Sequence, residues 1–235
     1  MIFLKKKKRV DMENKLFVVT TPIGNLGDLT ERVKETLKSV DFLIAEDTRV
    51  SVKILRFLNI KKPILKFHEH SNDTELKRIL QRLENGESAA LVCDAGAPGI
   101  SDPGPRLIEE LRLANIKIEP IPGPSAITTL WSVSGIKGDK FAFWGFIPKK
   151  KGREKFLKAL KESPIPIIFF ESPHRFLRLL DNLQKFLEPE REIVIGRELT
   201  KKFEEIKKIR IKDLKSEYPK QIKGEITIII DKPCK

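Results

Sequence analysis

The chain has 235 residues, which is enough for two domains of about 120 residues each. Hydrophobic residues make up 40% and charged residues 34%, as in a soluble globular protein, and no apolar run reaches the roughly 20 residues of a membrane helix. The net charge of +13 favours a polyanionic partner such as nucleic acid; a Lys/Glu-rich thermophile surface is the alternative, but it would leave the two signs nearly balanced.

Cysteine and histidine are scarce in this sequence. Two cysteines cannot form a disulfide framework, and the three histidines lack the spacing of a metal-ligand set, so we expect neither disulfides nor a metal. At the start of the chain the basic residues follow a short apolar stretch, which is the wrong order for a secretory signal. We therefore expect a cytoplasmic protein without a membrane segment, and we interpret residues 1–14 as a basic tail.

Short β-branched runs alternate with helical patterns over residues 16–134. Strands are predicted at 16–21, 42–45, 64–67, 88–93 and 116–121, and helices at 28–39, 50–58, 74–83 and 107–113. Such alternation predicts a mostly parallel sheet covered by helices on both faces. A Gly-rich break at 135–140 predicts the end of this domain, which would span residues 15–135.

The second half is less regular. Strands are predicted at 141–146, 165–171, 193–196 and 225–230, with helices at 153–161 and 175–187 and a charged segment at 201–220. These elements predict a second α/β domain over residues 140–235 with a mixed sheet. The predicted fold class is therefore α/β, with two αβα domains.

Three loops that follow predicted strands are rich in glycine and proline, at residues 20–28, 94–104 and 120–126. Ligands bind at the carboxyl ends of strands in open α/β sheets, and glycine lets a ligand approach the backbone closely. The first loop lacks the Gly-x-Gly turn of a dinucleotide site. Structural alternatives remain open: Asp28 or Ser125 could cap a helix, and the 94–104 loop could be only a long turn.

Six motifs occur in order over about residues 15–231: Pro22–Asp28, Glu46–Arg49, Asp94–Gly104, Pro122–Ala126, Glu171–Arg175 and Gly224–Glu225. Together they resemble the tetrapyrrole methylase superfamily. Within it they resemble the branch that methylates the 2′-oxygen of a cytidine in small-subunit ribosomal RNA.

This resemblance implies two α/β domains with S-adenosylmethionine in the cleft between them, and a homodimer. It also implies backbone contacts to the cofactor near Phe146 and Gly224. The cofactor-binding residues that it implies are Pro22, Gly24, Asp94, Ala95, Gly96, Ala97, Pro98, Ser101, Ser125 and Ala126.

Methyl transfer to a ribose hydroxyl would benefit from a group that accepts the hydroxyl proton. The catalytic candidates are Glu46, Asp47, Glu171 and His174. The residues expected to bind RNA phosphates are Arg49, Lys149, Lys150, Lys151, Arg153, Arg175 and Arg197.

Each of these assignments has a structural alternative. The Glu46–Thr48 segment could be a capped helix start, Glu171 and Arg175 could form a surface ion pair, and His174 could be structural. The lysines could belong to a solvated loop. Trp144 and Phe146 could pack on adenine or on a flipped base.

The function that we predict is S-adenosylmethionine-dependent 2′-O-methylation of a cytidine in 16S ribosomal RNA, with ribosomal RNA or the small subunit as partner. Two alternatives stay open: methylation of a small molecule such as a tetrapyrrole, and RNA binding without catalysis. The sequence leaves open which nucleotide is modified, whether naked RNA or an assembled subunit is the substrate, and which group is the general base.

Overall fold

A computed structural model describes residues 14–68, 71–102 and 104–233. Apart from Asn14, the predicted basic tail lies outside the described residues. The chain divides into two compact units. The first comprises the residues up to Pro22 together with Leu26–Gly123, and the second comprises Ile23–Asn25 and the residues from Pro124 onward.

The first unit contains a five-stranded, fully parallel sheet. Its strands are β1 (Lys15–Val19), β2 (Phe42–Ala45), β3 (Ile64–Lys66), β4 (Ala89–Val92) and β5 (Lys117–Ile121). They lie in the order β3-β2-β4-β1-β5. The helices are α1 (Glu31–Ser39), α2 (Thr48–Phe57), α3 (Asp73–Glu84) and α4 (Gly104–Leu113), and a 3-10 turn covers Leu26–Asp28.

Both faces of this sheet are buried. Leu16 and Phe17 are neighbours in β1 but pack in different hydrophobic clusters, as the two-residue period of a strand requires. Phe17 packs with Val33 of α1, whereas Leu16 packs with Ile79 of α3 and Leu107 of α4. The first domain is thus an αβα layer structure, as predicted.

The second unit contains a five-stranded mixed sheet. Its strands are β6 (Ala142–Phe146), β7 (Ile167–Glu171), β8 (Glu192–Arg197), β9 (Glu205–Arg210) and β10 (Ile226–Ile230). They lie in the order β6-β7-β10-β8-β9, and among these neighbours only β6 and β7 are parallel. The helices are α5 (Ala126–Val133), α6 (Arg153–Glu162), α7 (Phe176–Phe186) and the short α8 (Leu214–Glu217), with 3-10 turns at Pro173–Arg175 and Ile211–Asp213.

The prediction of two α/β domains, one parallel and one mixed, is confirmed. The predicted limit at residues 135–140 differs from the observed division, which falls between Gly123 and Pro124. The reason is that α5 packs in the second unit, where Ile127 and Leu130 join the cluster around Ile168. The cofactor cleft between the domains stays a prediction.

Two local features differ from the sequence-based expectations. The charged segment 201–220 contains the edge strand β9, in which half-buried and exposed residues alternate. Helix α1 begins at Glu31 and is capped by the Thr30 hydroxyl, which accepts a hydrogen bond from the Val33 N–H at 3.2 Å. Asp28 therefore does not cap this helix.

Candidate functional site

The parallel sheet of the first unit brings several predicted site residues to one edge. Because all five strands run in the same direction, the segments that follow them leave at the carboxyl edge of the sheet. These segments carry the predicted residues Pro22, Glu46, Asp47 and Asp94. They also carry His68 after β3, which the sequence did not assign to the site.

The loops after β1 and β4 are joined by backbone hydrogen bonds. The Thr21 N–H donates to the Gly96 carbonyl at 2.9 Å, and the Gly96 N–H donates to the Thr21 carbonyl at 3.1 Å. The Thr21 hydroxyl donates to the Cys93 carbonyl at 3.0 Å. Gly96 adopts a φ of +81°, which other residues rarely adopt, so this position needs glycine. The result is a fixed backbone platform at the centre of the sheet edge.

The rest of the loop after β4 folds around a carboxylate. Asp102 Oδ1 accepts hydrogen bonds from the backbone N–H groups of Gly99 and Gly104, both at 2.8 Å. A Cβ on Gly104 would lie 2.8 Å from the Gly99 nitrogen, so a larger residue there would force the turn open. We call residues 94–104 the cofactor loop.

Sequence reasoning included the cofactor loop but omitted Asp102 from the site. An aspartate shortly before a helix start is a capping signal, and it would have identified this residue. Along the loop, the predicted cofactor residues differ in exposure. Asp94, Ala95 and Ser101 are exposed and Ala97 is half-buried, whereas Gly96 and Pro98 are buried.

A cavity of about 660 Å³ opens beside these strand ends. This volume falls within the usual range for small-molecule sites. Both acidic and basic groups line it: Glu46, Asp47, Thr48, Arg49, Lys66, His68 and Asp94. The sequence predicted Glu46, Asp47, Arg49 and Asp94 for the site, but not Lys66, whose only signal would have been its position at the end of a predicted strand.

The two neighbouring acidic candidates in this cavity have different surroundings. Asp47 caps α2 by accepting the Arg49 N–H at 2.9 Å, and its carboxylate also pairs with the Arg49 guanidinium, with Nε 2.9 Å from Oδ2. These bonds from Arg49 lower the pKa of Asp47 to about 2, which makes it a weak proton acceptor. The exposed Glu46 carboxylate has no hydrogen-bond or ion-pair partner among the described residues.

The second unit holds a buried charge cluster, which we call the arginine clamp (Arg153, Glu171 and Arg175). The Glu171 side chain is fully buried, with Oε1 2.6 Å from Arg175 Nη2 and Oε2 3.4 Å from Arg153 Nη1. Asn182 supports the clamp, since its Oδ1 accepts a hydrogen bond from Arg153 Nε at 2.9 Å. Glu171 thus faces two arginines, and its surroundings do not support the predicted catalytic role.

The clamp also changes the interpretation of its arginines, which the sequence assigned to RNA. The Arg153 side chain is only 7% exposed, and this burial lowers the pKa of its guanidinium. Its position does not support an RNA contact. Arg175 is 21% exposed, and His174 beside it is exposed at the surface. Glu171 and Arg175 do form an ion pair, but it is buried and not superficial.

Helix α5 begins directly after the third predicted loop. Ser125 occupies the N-cap position, yet its side chain makes no capping hydrogen bond, and its hydroxyl has no partner within the described part of the chain. Both Ser125 and Ala126 are partly exposed. The hydroxyl and the first N–H groups of the helix are therefore able to bind a polar ligand.

Two glycines of the recognised motifs have a structural explanation. A Cβ on Gly24 would collide with the Lys201 side chain and would lie 3.0 Å from the Leu199 carbonyl oxygen. A Cβ on Gly224 would collide with the Glu198 side chain, and Gly224 has a φ of +95°. Close packing within the second unit accounts for glycine at both positions, so Gly24 needs no cofactor contact to explain it.

Among the remaining predicted RNA-binding residues, Lys149–Lys151 are exposed before α6, and we call them the lysine loop. Their ammonium groups make no ion pair among the described residues. Arg197 is less available, because its Nε pairs with Glu205 at 3.0 Å. The exposed Phe146 ring packs beside Phe170, whereas the Trp144 ring contacts Phe156 at the edge of the core.

Residues 14–68, 71–102 and 104–233 contain neither a candidate metal site nor a candidate membrane-spanning helix. In that part of the chain, no three His, Cys, Asp or Glu side chains are grouped so that they could hold a metal ion. No helix there has the length and apolar character needed to cross a membrane.

The sequence is similar to a known family over most of its length. Residues 15–215 match the family described as Tetrapyrrole (Corrin/Porphyrin) Methylases. A Thermotoga maritima protein named ribosomal RNA small subunit methyltransferase I is 43% identical over 217 residues, which cover 92% of this chain and 97% of that protein. A Haemophilus influenzae protein of the same name is 42% identical over 225 residues, which cover 94% of this chain and 80% of the relative.

Solved structures share the fold at low sequence identity. A cobalamin biosynthetic enzyme, cobalt precorrin-4 methyltransferase, superposes with a TM-score of 0.69 at 16% identity, covering 93% of this chain and 95% of its own. A uroporphyrin-III C-methyl transferase from Thermus thermophilus, complexed with S-adenyl homocysteine, gives 0.62 at 14% identity, covering 92% and 96%.

Proposed function

Because the chain belongs to the tetrapyrrole methylase family, we propose that it transfers a methyl group to the 2′-oxygen of a cytidine ribose in small-subunit (16S) ribosomal RNA. Methyltransferases of this family use S-adenosylmethionine. Relatives more than 40% identical over nine-tenths of this chain carry names that specify methylation of small-subunit ribosomal RNA. Their names do not specify the ribose oxygen or the base, which come from the sequence motifs.

One structural observation carries the proposal. The cavity at the strand ends combines the Glu46 carboxylate, which has no partner among the described residues, with the cationic groups of Arg49 and Lys66. A nucleotide needs this combination, because its phosphates require cations and its hydroxyl requires a proton acceptor. The net charge of +13 and the exposed lysine loop suit a long polyanion and would be unnecessary for a tetrapyrrole.

The residues fit an adenosyl cofactor in chemical terms. The Thr21–Gly96 platform offers backbone groups without an obstructing Cβ at Gly96, and the Ser125 hydroxyl has no partner among the described residues. Asp94 and Ala95, which precede Gly96 in the cofactor loop, are exposed. When bound, S-adenosylmethionine supplies an activated methyl group on a sulfonium, so no separate activation step is required.

In the proposed mechanism the protein aligns the acceptor and removes one proton. Arg49 and Lys66 bind the phosphates next to the target ribose and so orient its 2′-hydroxyl for the reaction. Bound S-adenosylmethionine would supply the methyl group, and the Glu46 carboxylate accepts the proton that the ribose hydroxyl loses and later releases it to water. S-adenosylhomocysteine and the 2′-O-methylated nucleotide are the products.

The test is methyl transfer from tritiated S-adenosylmethionine to purified 16S RNA, small ribosomal subunits and uroporphyrinogen in parallel. We expect label in RNA, on one cytidine ribose located by mass spectrometry, and we expect it to fall at least 100-fold in Glu46→Gln. Label only in the tetrapyrrole would contradict the proposal. An absence of thermal stabilisation by excess S-adenosylmethionine would instead favour RNA binding without catalysis.

Action on ribosomal RNA would place the protein in the cytoplasm, in agreement with the prediction from the sequence. The homodimer implied by the family resemblance also stays a prediction. Sedimentation equilibrium at micromolar protein concentration tests it directly, because a dimer doubles the monomer mass of 27.0 kDa.

A further inference from the structure

Burying the charged groups of the arginine clamp in the protein interior is energetically unfavourable. Three charged groups meet there, and the Glu171 and Arg153 side chains are 0% and 7% exposed. Removing such groups from water costs free energy that the ion pairs only partly return, and apolar replacements often stabilise proteins equally well. In addition, Arg153 Nη2 has no hydrogen-bond partner among the described residues. The clamp therefore calls for an explanation other than stability.

The remaining hydrogen bonds of the clamp indicate what it holds. Arg153 Nη1 donates to the Pro148 carbonyl at 3.2 Å, and Arg175 Nη1 donates to the Ile147 carbonyl at 3.0 Å. Glu171 orients both guanidinium groups, because each of them binds one of its two oxygens. One buried carboxylate thus fixes the two carbonyls immediately before the lysine loop.

On its C-terminal side, the lysine loop is joined to Arg153 through the backbone. The Arg153 N–H donates to the Lys150 carbonyl at 3.2 Å, and Arg153 begins α6 directly after Gly152, whose φ is +86°. Three adjacent ammonium groups repel each other, and this favours an extended, variable loop in the absence of an anchor. Here, instead, the two carbonyls before the loop bind the clamp, and Arg153 after the loop belongs to it.

We propose that Arg153, Glu171 and Arg175 are positioning residues that hold the lysine loop in the conformation that binds ribosomal RNA. This inference rests on the proposed function and deepens it, since it identifies the lysine loop as an RNA-docking surface. The clamp acts before binding, because it removes the conformational freedom that RNA would otherwise have to restrict. Arg153 and Arg175 hold the backbone before the loop, while Lys149–Lys151 neutralise the RNA phosphates.

Neutralising Glu171 tests whether the clamp acts by positioning or only through its charge, because the two explanations predict opposite changes in RNA affinity. If charge alone mattered, Glu171→Gln would strengthen binding to a polyanion, because it removes a negative charge. If the clamp matters, the same change weakens binding, because an amide cannot hold two guanidinium groups in place. We expect roughly a tenfold loss, since fixing the backbone of even one residue costs about that factor.

The experiment measures dissociation constants for purified 16S RNA and small ribosomal subunits by filter binding at several salt concentrations. Glu171→Gln is compared with Glu190→Gln, a matched control in which an exposed glutamate that pairs with Arg210 and Lys212 loses the same charge. Both changes are repeated in a protein in which Lys149, Lys150 and Lys151 are all alanine. The dissociation constant for S-adenosylmethionine is measured in parallel.

We expect Glu171→Gln to weaken RNA binding and to reduce its salt dependence to that of the triple alanine protein, with unchanged affinity for S-adenosylmethionine. In the triple alanine background it should cause no further loss, because the positioned groups are absent. Glu190→Gln should bind RNA as tightly as the wild type or slightly more tightly.

Unchanged or tighter RNA binding by Glu171→Gln, or an undiminished loss in the triple alanine background, would overturn the inference. If Glu171→Gln does not fold, Asn182→Ala replaces it, because this change removes the hydrogen bond to Arg153 without changing the charge. We then expect a smaller loss of RNA affinity, which again disappears in the triple alanine background. If the wild type binds neither RNA nor subunits, the proposed function itself fails.

Discussion

The Asp102 carboxylate accepts two backbone hydrogen bonds within the cofactor loop, and this makes it an informative residue to change. Asp102 Oδ1 accepts the N–H groups of Gly99 and Gly104, both at 2.8 Å, and so closes the turn between the platform and α4. Asp102→Ala removes both bonds. Asp102→Asn retains a carbonyl oxygen that can accept both, so it separates loss of hydrogen bonding from loss of charge.

The expected cost follows from the geometry. Hydrogen bonds to a charged acceptor contribute about 1.5–3 kcal/mol each, and loss of a helix-capping side chain costs about 0.5–2 kcal/mol. Asp102 is half-buried, so water replaces part of what is lost, and we expect a total of about 2 kcal/mol. For a chain of this size that lowers the Tm by about 4–8 °C.

The assay combines thermal unfolding with calorimetric titration of S-adenosylmethionine. Asp102→Ala should lower the Tm by that amount and weaken cofactor binding about tenfold or more, because the freed loop must be ordered again on binding. Asp102→Asn should lose less than half as much. Asp139→Ala is the control, since this exposed aspartate makes no side-chain bond among the described residues. Full cofactor affinity in Asp102→Ala would refute the assignment of this loop.

Three further predictions test other parts of the structure. Arg49 lowers the pKa of Asp47 from 3.8 to about 2, so the stability that Asp47 contributes is present above about pH 4 and is lost as the pH falls toward 2. Because Asp47 is already ionised where the enzyme works, Asp47→Asn should leave the acidic limb of the pH profile of kcat unchanged. A shifted limb would count against Glu46 as the proton acceptor. Burial raises the pKa of the Cys93 thiol to about 12, so in the folded protein Cys93 should resist alkylation by iodoacetamide at pH 8. Peptide mass spectrometry measures the labelling, and rapid labelling would contradict this prediction. The protein should also lose stability as the pH rises from about 9 toward 12. Gly224→Ala should destabilise the second unit by about 1–3 kcal/mol in urea unfolding, because its φ is positive and its Cβ would displace Glu198, and a neutral effect would refute this packing.

The fold could largely be predicted from the sequence because its strands obey a simple rule. Runs such as Phe42–Ala45 and Ala89–Val92 are apolar throughout, as strands buried on both faces must be, and helical patterns separate them. Strand β9 escaped prediction because it is an edge strand. Charged side chains protect such edges from pairing with other chains, and Glu205–Arg210 consequently has the composition of a surface segment.

The surroundings of the site residues could be predicted less completely, for physical reasons. A run of basic residues predicts solvent exposure, so the sequence pattern groups Arg153 with Lys149–Lys151. Its position in the helix indicates otherwise, because Arg153 precedes Leu157 and Leu160 by four and seven residues and therefore shares their buried face. Its partner Glu171 lies 18 residues away in the sequence. Pairing over that distance depends on the tertiary fold, and local patterns do not reveal it.

The cavity at the strand ends shows how adjacent residues of one motif can have different tasks. Asp47 binds the N–H of Arg49 and its Nε and Nη2 groups, so the carboxylate orients the guanidinium as well as capping α2. The Arg49 side chain remains 86% exposed, and its Nη1 has no partner in the described part of the chain. In the proposed function, a phosphate can therefore bind this outer edge without breaking the ion pair. Glu46 makes no such bonds to the residues that the structure describes, so in the proposed function its carboxylate is available for the proton of the ribose hydroxyl.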